Sequence, residues 1–511
     1  MRDSITHCFN LEGVEAGLVD VQAKAVFGKP SLTIIGMGDK AIREAGERIY
    51  GAIHHAELEV PKMKVVVNLA PGNVRKKGSH FDLAIAVAIL HQCGQVASEN
   101  VHRYAYLGEL SLTGRLRPVD GVISMAMEAR RQAFEYLILP RENMAEAALV
   151  EGVVPLGFES LGEVASFLEG QAKGYDPESM LAAEKDLDRE AEACRTAGLL
   201  DFSDVRGQDR AVRYSAIAAA GGHNLLLVGA PGCGKSMIAQ RIHTILPTMS
   251  EEERLEVTRI QSVCGELQVK SRLAPHRPFR APHHNISTNA MIGGGTQAMP
   301  GEVTKAHNGV LFLDEFPEYG KAALESLRQP LEDRQVTVAR VGGTHTYPAS
   351  FMLVAAMNPC PCGHHGTGRC TCTPRQVRDY TSKLSGPLLD RFDMLLQVES
   401  VEFLELTSLE AGMSSQELQI RVEAARKLQQ ERFAAYPGIH TNAQMPPQLV
   451  ERFCRLEKDC GRIIQEAWEQ ERFSARTYKK LLRVARTCAD MGDAREIRAR
   501  DIRHALQGFR P

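Results

Sequence analysis

Residues Leu225 to Ser236, LLLVGAPGCGKS, decide the fold. The apolar run Leu225 to Val228 reads as a short buried strand, and the glycine after it opens a turn. Gly229, Gly234, Lys235 and Ser236 stand at the spacing of a phosphate-binding loop, with Ala230, Pro231, Gly232 and Cys233 between them. Glycines let the backbone curl until successive N–H groups point at one phosphate group. Lys235 would place its ammonium between the β- and γ-phosphates of ATP. Ser236 would give its hydroxyl to Mg²⁺ and begin a helix whose positive end faces the phosphates. Cys233 occupies a permissive position, and its thiol would make the loop oxidation-sensitive.

A second apolar run, Val310 to Leu313 in GVLFLDEF, ends in Asp314-Glu315. A carboxylate pair at the C-terminal edge of an α/β sheet sits where such sheets present ligands. Asp314 is expected to hold the Mg²⁺ shell, and Glu315 to orient and polarise the attacking water. A third run, Phe351 to Met357, ends in Asn358, positioned as a sensor of the γ-phosphate and the water. Between the first two lies RPFRAPHHNISTNAMIGGGTQAMPGEVTKAHNG, Arg277 to Gly309, too long for an ordinary connection.

Cys360, Cys362, Cys370 and Cys372 cluster in NPCPCGHHGTGRCTC. Four thiolates gathered by a Gly-rich loop would make a tetrahedral Zn²⁺ site, with His364 and His365 as spare ligands; free thiols and a redox disulfide are the alternatives.

The chain is 511 residues long, enough for several domains, with 44% hydrophobic and 24% charged residues. Its formal net charge of −2 requires any nucleic-acid surface to be local. No run is long enough to span a bilayer, no secretory h-region is visible, and the twelve cysteines form no small-domain framework, so a reducing cytoplasm is the expected compartment.

Upstream, residues 1–170 alternate strand-like and helix-like runs, an α/β pattern. Residues 171–200 are charged and rich in Ala and Glu, reading as a helical linker. The ATPase core is expected over 201–400, and 401–511 carries helical periodicity to the end. Within the core, Ala322 to Leu331 reads as one helix. QVTVARVGGTHTYPASF reads as a hairpin turning at Gly342-Gly343.

Two resemblances extend this reading. KKGSHFDLAIAVAIL, GELSLTGRLRPVDG and YLILPREN resemble the proteolytic domain of Lon-type proteases, which has a ribosomal-protein-S5-like fold and a Ser–Lys dyad. The match puts His80 at the nucleophile position, with Ser79 off by one. Where the lysine belongs, after Asp120-Gly121, stand Val122, Ile123, Ser124 and Met125. Without that amine a serine is a weak nucleophile, so the domain reads as a protease relic serving as scaffold or interaction module.

The chain as a whole resembles the magnesium-chelatase-like AAA+ proteins of the ComM/YifB type, through RPFRAPHHNIS, MIGGG, AHNGVLFLDEF, NPCPCG, SGPLLDRFD and SARTYKKLLRVART in that order. The resemblance implies a Lon-like domain, an AAA+ α/β core of the helix-2-insert type and an all-α lid. Val205 and Gln208 match the adenine-side box. Arg391 matches the arginine that reaches a neighbour's γ-phosphate, and Arg476 the second sensor, turned back onto the nucleotide. The family implies a hexameric ATP-driven motor on single-stranded or branched DNA, working with recombination proteins and similar to branch-migration helicases of natural transformation. Lys305, His307, Arg340 and His345 are the candidate phosphate contacts in its channel. The alternatives are the AAA+ subunit of a magnesium chelatase and, third, an ATP-dependent Lon-like protease.

Overall fold

A computed structural model describes residues 4–97, 99–171, 175–183, 200–267, 269–295, 298–340, 343–366, 368–401, 412–471 and 473–509. The linker reading falls mostly outside them; residues 177–183 are helical.

The N-terminal part is built on one mixed sheet whose strands lie in the order Ser31–Ile35, Lys64–Ala70, Glu15–Val26, Ser4–Glu12, Tyr104–Tyr106, Tyr136–Pro140, Val154–Phe158. Ser4–Glu12 and Glu15–Val26 form a hairpin closed by Gly13-Val14, with Gly13 at φ +72° supplying the left-handed turn residue. Helix Asp82–Gln92, buried from Asp82 to Leu90, packs on these two strands. The Ser4 and Thr6 hydroxyls donate to its carbonyls at Ala88 and Ala84, 2.9 Å each, so the strand's polar groups are satisfied inside an apolar layer.

The second sheet is five-stranded and parallel, in the order Phe279–Arg280, Val310–Leu313, Met352–Met357, Leu225–Gly229, Met394–Val398. Its strands are apolar on both faces, as a sheet covered by helices on both sides requires. The chain leaves Leu225–Gly229, runs to the far edge, and returns to flank that same strand on both sides. The loop after Gly229 therefore opens at a topological switch point.

Helices Ser415–Phe433, Pro447–Phe453, Cys460–Glu471, Ala475–Met491 and Ala499–Gln507 make the C-terminal layer. It shares one hydrophobic cluster with the sheet, bridged by helix Asp209–Gly221. Among the described residues no helix is long and apolar enough to cross a membrane.

Three local expectations change. Ala322 to Leu331 is two helices, Lys321–Ser326 and Arg328–Asp333, because Pro330 removes an N–H that a continuous helix needs. The hairpin pairs Gln335–Arg340 with Gly343–Pro348 and its last pair is Arg340 with Gly343, so Gly343 belongs to a strand. Tyr106 to Leu116, whose sequence suggests one hairpin, divides: Tyr104–Tyr106 joins the main sheet, and only Glu109–Leu110 pairs with Leu116–Arg117.

Candidate functional site

The C-terminal edge of the parallel sheet gathers most of the expected nucleotide residues. Gly232 and Gly234 take φ +78° and +92°, the left-handed backbone that curls the loop, and the space over Gly232 is open for a ligand. Helix Lys235–Arg241 starts directly from this loop. Lys235 Nζ donates to the carbonyls of Gly229 and Ala230, 2.8 Å each, and to Asn358 Oδ1 at 3.2 Å. Ser236 Oγ donates to Asp314 Oδ2 at 2.6 Å. A hydroxyl and a carboxylate side by side are hard oxygen donors of the kind Mg²⁺ takes together with phosphates. Glu315 sits in the left-handed region at φ +50°, a strained setting for a non-glycine residue. Its N–H donates to Asp314 Oδ1 at 2.9 Å, and its carboxylate lies 3.3 Å from His284 Nδ1.

Val205 and Gln208 are buried beside this loop. Gln208 Nε2 donates to the carbonyls of Cys233 (3.2 Å) and Glu399 (2.7 Å), tying the segment to the P-loop and to the last strand. The oxidation expected at Cys233 is opposed by burial: the residue is 4% exposed and its thiol packs under Gly229.

Arg391 and Arg476 stand elsewhere. Asn224, the residue before the P-loop strand, donates through Nδ2 to the Arg391 carbonyl at 2.9 Å, which fixes Arg391 at the N-terminal edge of the sheet. Strand Leu225–Gly229 separates it from the P-loop by roughly 15 Å of extended chain. Arg476 Nη1 lies 3.6 Å from Asp390 Oδ2, on this same edge. The expectation that Arg476 turns back onto the nucleotide therefore fails for the nucleotide of its own chain. Helix Ala475–Met491 is anchored at the other end of the sheet by Lys480 Nζ donating to the Phe392 carbonyl at 2.8 Å.

Arg391, held by Glu332, and Arg476 line a cleft of about 820 Å³ together with Arg334, Lys479, Lys480 and Arg483. Three acidic residues, Glu332, Asp390 and Asp393, face these six cations. Burial lowers Lys480, Arg483 and Arg334 below their ordinary values, and neighbouring cations add to the effect. Such a cleft favours an anion of high charge. Sequence reasoning missed Arg334, Lys479, Lys480 and Arg483, and also His284. Only the His283-His284 doublet inside the long insert gave a signal.

The candidate DNA residues are corrected. Lys305 Nζ is 2.5 Å from Glu266 Oε1 and 3.7 Å from Glu302, within a cluster that includes Arg280. His307 is buried, its Nε2 3.1 Å from Glu256 and its Nδ1 accepting from the Ser350 N–H at 3.0 Å. Both serve internal packing of the insert. His345 lies against Gly13, so the hairpin docks on the N-terminal turn instead of projecting freely. The Arg340 side chain is outside the described residues.

In the N-terminal part, the Ser79 hydroxyl donates to Glu109, His80 Nε2 is 2.8 Å from the Phe9 carbonyl, and the Lys76 ammonium donates to the Leu69 and Pro71 carbonyls. The cleft over Ser79 is walled by Met299, Pro300, His345 and Tyr347 from the core. Helix Val122–Arg131, where the Lon lysine would start, is covered by helix Glu251–Val263. Arg259 Nε donates to Ser124 Oγ at 3.0 Å, and Arg259 pairs with Glu15 at 2.6 Å.

The sulfurs of Cys360, Cys362, Cys370 and Cys372 lie within 4.8 Å of one another.

Residues 201–406 match the family described as magnesium chelatase, subunit ChlI. Residues 21–143 match subunit ChlI of Mg-chelatase, and 412–510 the ChlI C-terminal family. The chain is 39% identical to YifB of Escherichia coli over 98% of its own length and 96% of that relative. It is 37% identical to the competence protein ComM of Haemophilus influenzae over 98% and 95%. A shorter stretch, 35% of the chain and 18% of the relative, is 26% identical to DNA helicase MCM8 of Xenopus laevis. On its near-full-length identity, the chain belongs to the magnesium-chelatase-like AAA+ proteins of the ComM/YifB type.

Proposed function

We propose that this protein is an ATPase that assembles into a hexameric ring and drives movement along single-stranded or branched DNA, extending heteroduplex during recombination in natural transformation. The observation that carries the reading is the separation of the two half-sites. The P-loop, Asp314, Glu315 and Asn358 lie on one edge of the sheet, and Arg391 and Arg476 on the other. One subunit cannot close both halves around one triphosphate; a head-to-tail ring of subunits can.

In this reading ATP binds on the P-loop of one subunit. Lys235 would hold the β,γ-oxygens, and Ser236 and Asp314 would hold Mg²⁺, whose contribution when bound is to offset phosphate charge. Glu315 accepts a proton from the attacking water while Asn358 positions it. Arg391 and Arg476 of the next subunit meet the charge that develops on the transferred phosphoryl group. The competence role and the DNA substrate are supported by the names of ComM and MCM8. A Lon-like peptidase reading loses support because Ser79 meets a carboxylate where an amine is required. A chelatase reading rests on the family descriptions.

The test is DNA-stimulated ATP hydrolysis and movement of a forked junction by the purified protein, with Lys235→Ala and Glu315→Gln. Both variants are expected to lose junction movement, Glu315→Gln while still binding ATP. Junction movement by either variant at the wild-type rate rejects the mechanism. ATP hydrolysis without any response to DNA favours the chelatase reading.

A further inference from the structure

The sequence Asn358-Pro-Cys360-Pro-Cys362-Gly363 leaves the sensor strand and at once builds the cysteine cluster. Its sulfurs are 3.3 Å apart for Cys360 and Cys362, 3.9 Å for Cys360 and Cys370, and 3.8 Å for Cys362 and Cys370, and Cys372 completes the group. Four thiolates around one Zn²⁺ at a Zn–S bond of about 2.3 Å stand about 3.8 Å apart in a tetrahedron. The observed spacing is that of a single-ion cage. All four are free cysteines, and the set contains sulfur donors only, which selects a soft or borderline ion over Mg²⁺.

The loop also touches the nucleotide loop. A Cβ at Gly363 would come within 2.3 Å of Pro231 Cδ, so the glycine permits close packing of the cluster on the P-loop; its φ of +81° is one that glycine adopts without strain. Two residues before Cys360, Asn358 bonds the Lys235 ammonium. The loop between sensor and helix Pro374–Thr381 thus meets the P-loop at two points, Pro231 and Lys235, and among its described residues contains no regular element that would hold it there.

We propose that Cys360, Cys362, Cys370 and Cys372 bind one structural Zn²⁺, and that this ion clasps the sensor Asn358 and the P-loop Pro231 in one rigid unit. The metal assignment stands on the cysteines alone. The coupling to nucleotide rests on the ATPase reading above.

The experiment measures metal content of the full chain by inductively coupled plasma mass spectrometry, beside alkylation of its thiols and binding of a fluorescent ATP analogue. One zinc per chain is expected, with four thiols shielded from alkylation until a strong chelator is added. A chain without metal whose four thiols alkylate at once, or one that holds iron in place of zinc, overturns the assignment. Cys370→Ser with Cys372→Ser should lose the zinc and bind the analogue about tenfold more weakly. Gly363→Ala should keep the zinc and still weaken the analogue several-fold, because the added methyl pushes the loop off Pro231. Wild-type analogue affinity in Gly363→Ala overturns the coupling. Lys235→Ala should keep full zinc while losing the analogue; zinc loss there overturns the independence of the metal site. A zinc-bearing wild type that binds no analogue rejects the ATPase reading and leaves the metal assignment standing.

Discussion

His284 Nδ1 lies 3.3 Å from Glu315 Oε2, and the two leave the ends of neighbouring strands of the parallel sheet, with Glu315 just past Val310–Leu313. His284 is delivered by the long insert, just after Phe279–Arg280, and Tyr319 fastens that segment by donating its hydroxyl to the Pro282 carbonyl at 2.5 Å. In the proposed mechanism Glu315 takes a proton from the attacking water, and its contact with His284 would orient that carboxylate. His284→Ala should leave ATP binding within about twofold of wild type and change turnover by about tenfold, the worth of one well-placed hydrogen bond. Steady-state ATPase rates beside analogue binding read the two effects separately. Equal turnover in variant and wild type would remove His284 from the site.

Lys235 and Arg391 can be tested for action on one triphosphate from different chains. Alone, Lys235→Ala and Arg391→Ala should each fall by on the order of a thousandfold in turnover. Mixed in equal amounts and allowed to assemble at random, a site is complete only where the P-loop comes from the arginine variant and the arginine from the lysine variant. About a quarter of interfaces satisfy this, so the mixture should recover up to about a quarter of wild-type turnover. A mixture as inactive as its components would mean that Arg391 serves its own subunit or none. The same mixture with Arg476→Ala asks whether the second arginine travels with the first, as their shared edge predicts.

Much of this site was legible because its chemistry is local in sequence. Gly229 to Ser236 is one uninterrupted loop, and Asp314-Glu315 and Asn358 each end an apolar run that can only be a buried strand. The arginines were legible as residues but not as places. Which edge Arg476 occupies depends on how helix Ala475–Met491 packs on Asp209–Gly221, a contact between segments far apart in the chain. Lys305 and His307 misled for a related reason: charge on a long insert looks solvent-facing until Glu256, Glu266 and Glu302 are found beside it. The first hairpin was missed because polar residues such as Thr6 and Asn10 interrupt its alternation, and their partners, Ala84 and Arg75 carbonyls, are more than sixty residues away.

Asp490 is the anchor of the C-terminal layer. It is buried, accepting from Arg432 Nη1 at 2.8 Å, Arg486 Nε at 3.0 Å and Asn442 Nδ2 at 2.8 Å. Removing one member of a buried, fully hydrogen-bonded ion pair leaves uncompensated charge and costs about 3–5 kcal/mol. Asp490→Asn should lower the stability of this layer by that amount. Trp468, the one tryptophan, lies on helix Cys460–Glu471 against Tyr478, so its fluorescence during urea unfolding reports this layer. A midpoint unchanged from wild type would show that Arg432 and Arg486 find other partners.

His80 makes the N-terminal sheet less stable in acid. Burial pushes its imidazole down to about 4, against a partial opposing effect of the Phe9 carbonyl. The ordinary value near 6.5 applies in the unfolded chain, so between these values the unfolded state binds a proton that the folded state does not. The stability it contributes is present above about pH 6.5 and is lost as pH falls toward 4. By pH 4.5 the loss is on the order of 2 kcal/mol. His80→Gln keeps an amide that can donate to the Phe9 carbonyl and removes the titration. Hydrogen exchange of the Ser4–Glu12 amides, followed from pH 7 to 4.5, should show the wild type losing protection more steeply than the variant. Parallel losses in the two proteins would mean that His80 is protonated in the folded state and that acid acts on this sheet through other groups, with buried Asp82, raised to about 6 by burial despite Arg48, excluded because its effect runs in the opposite direction.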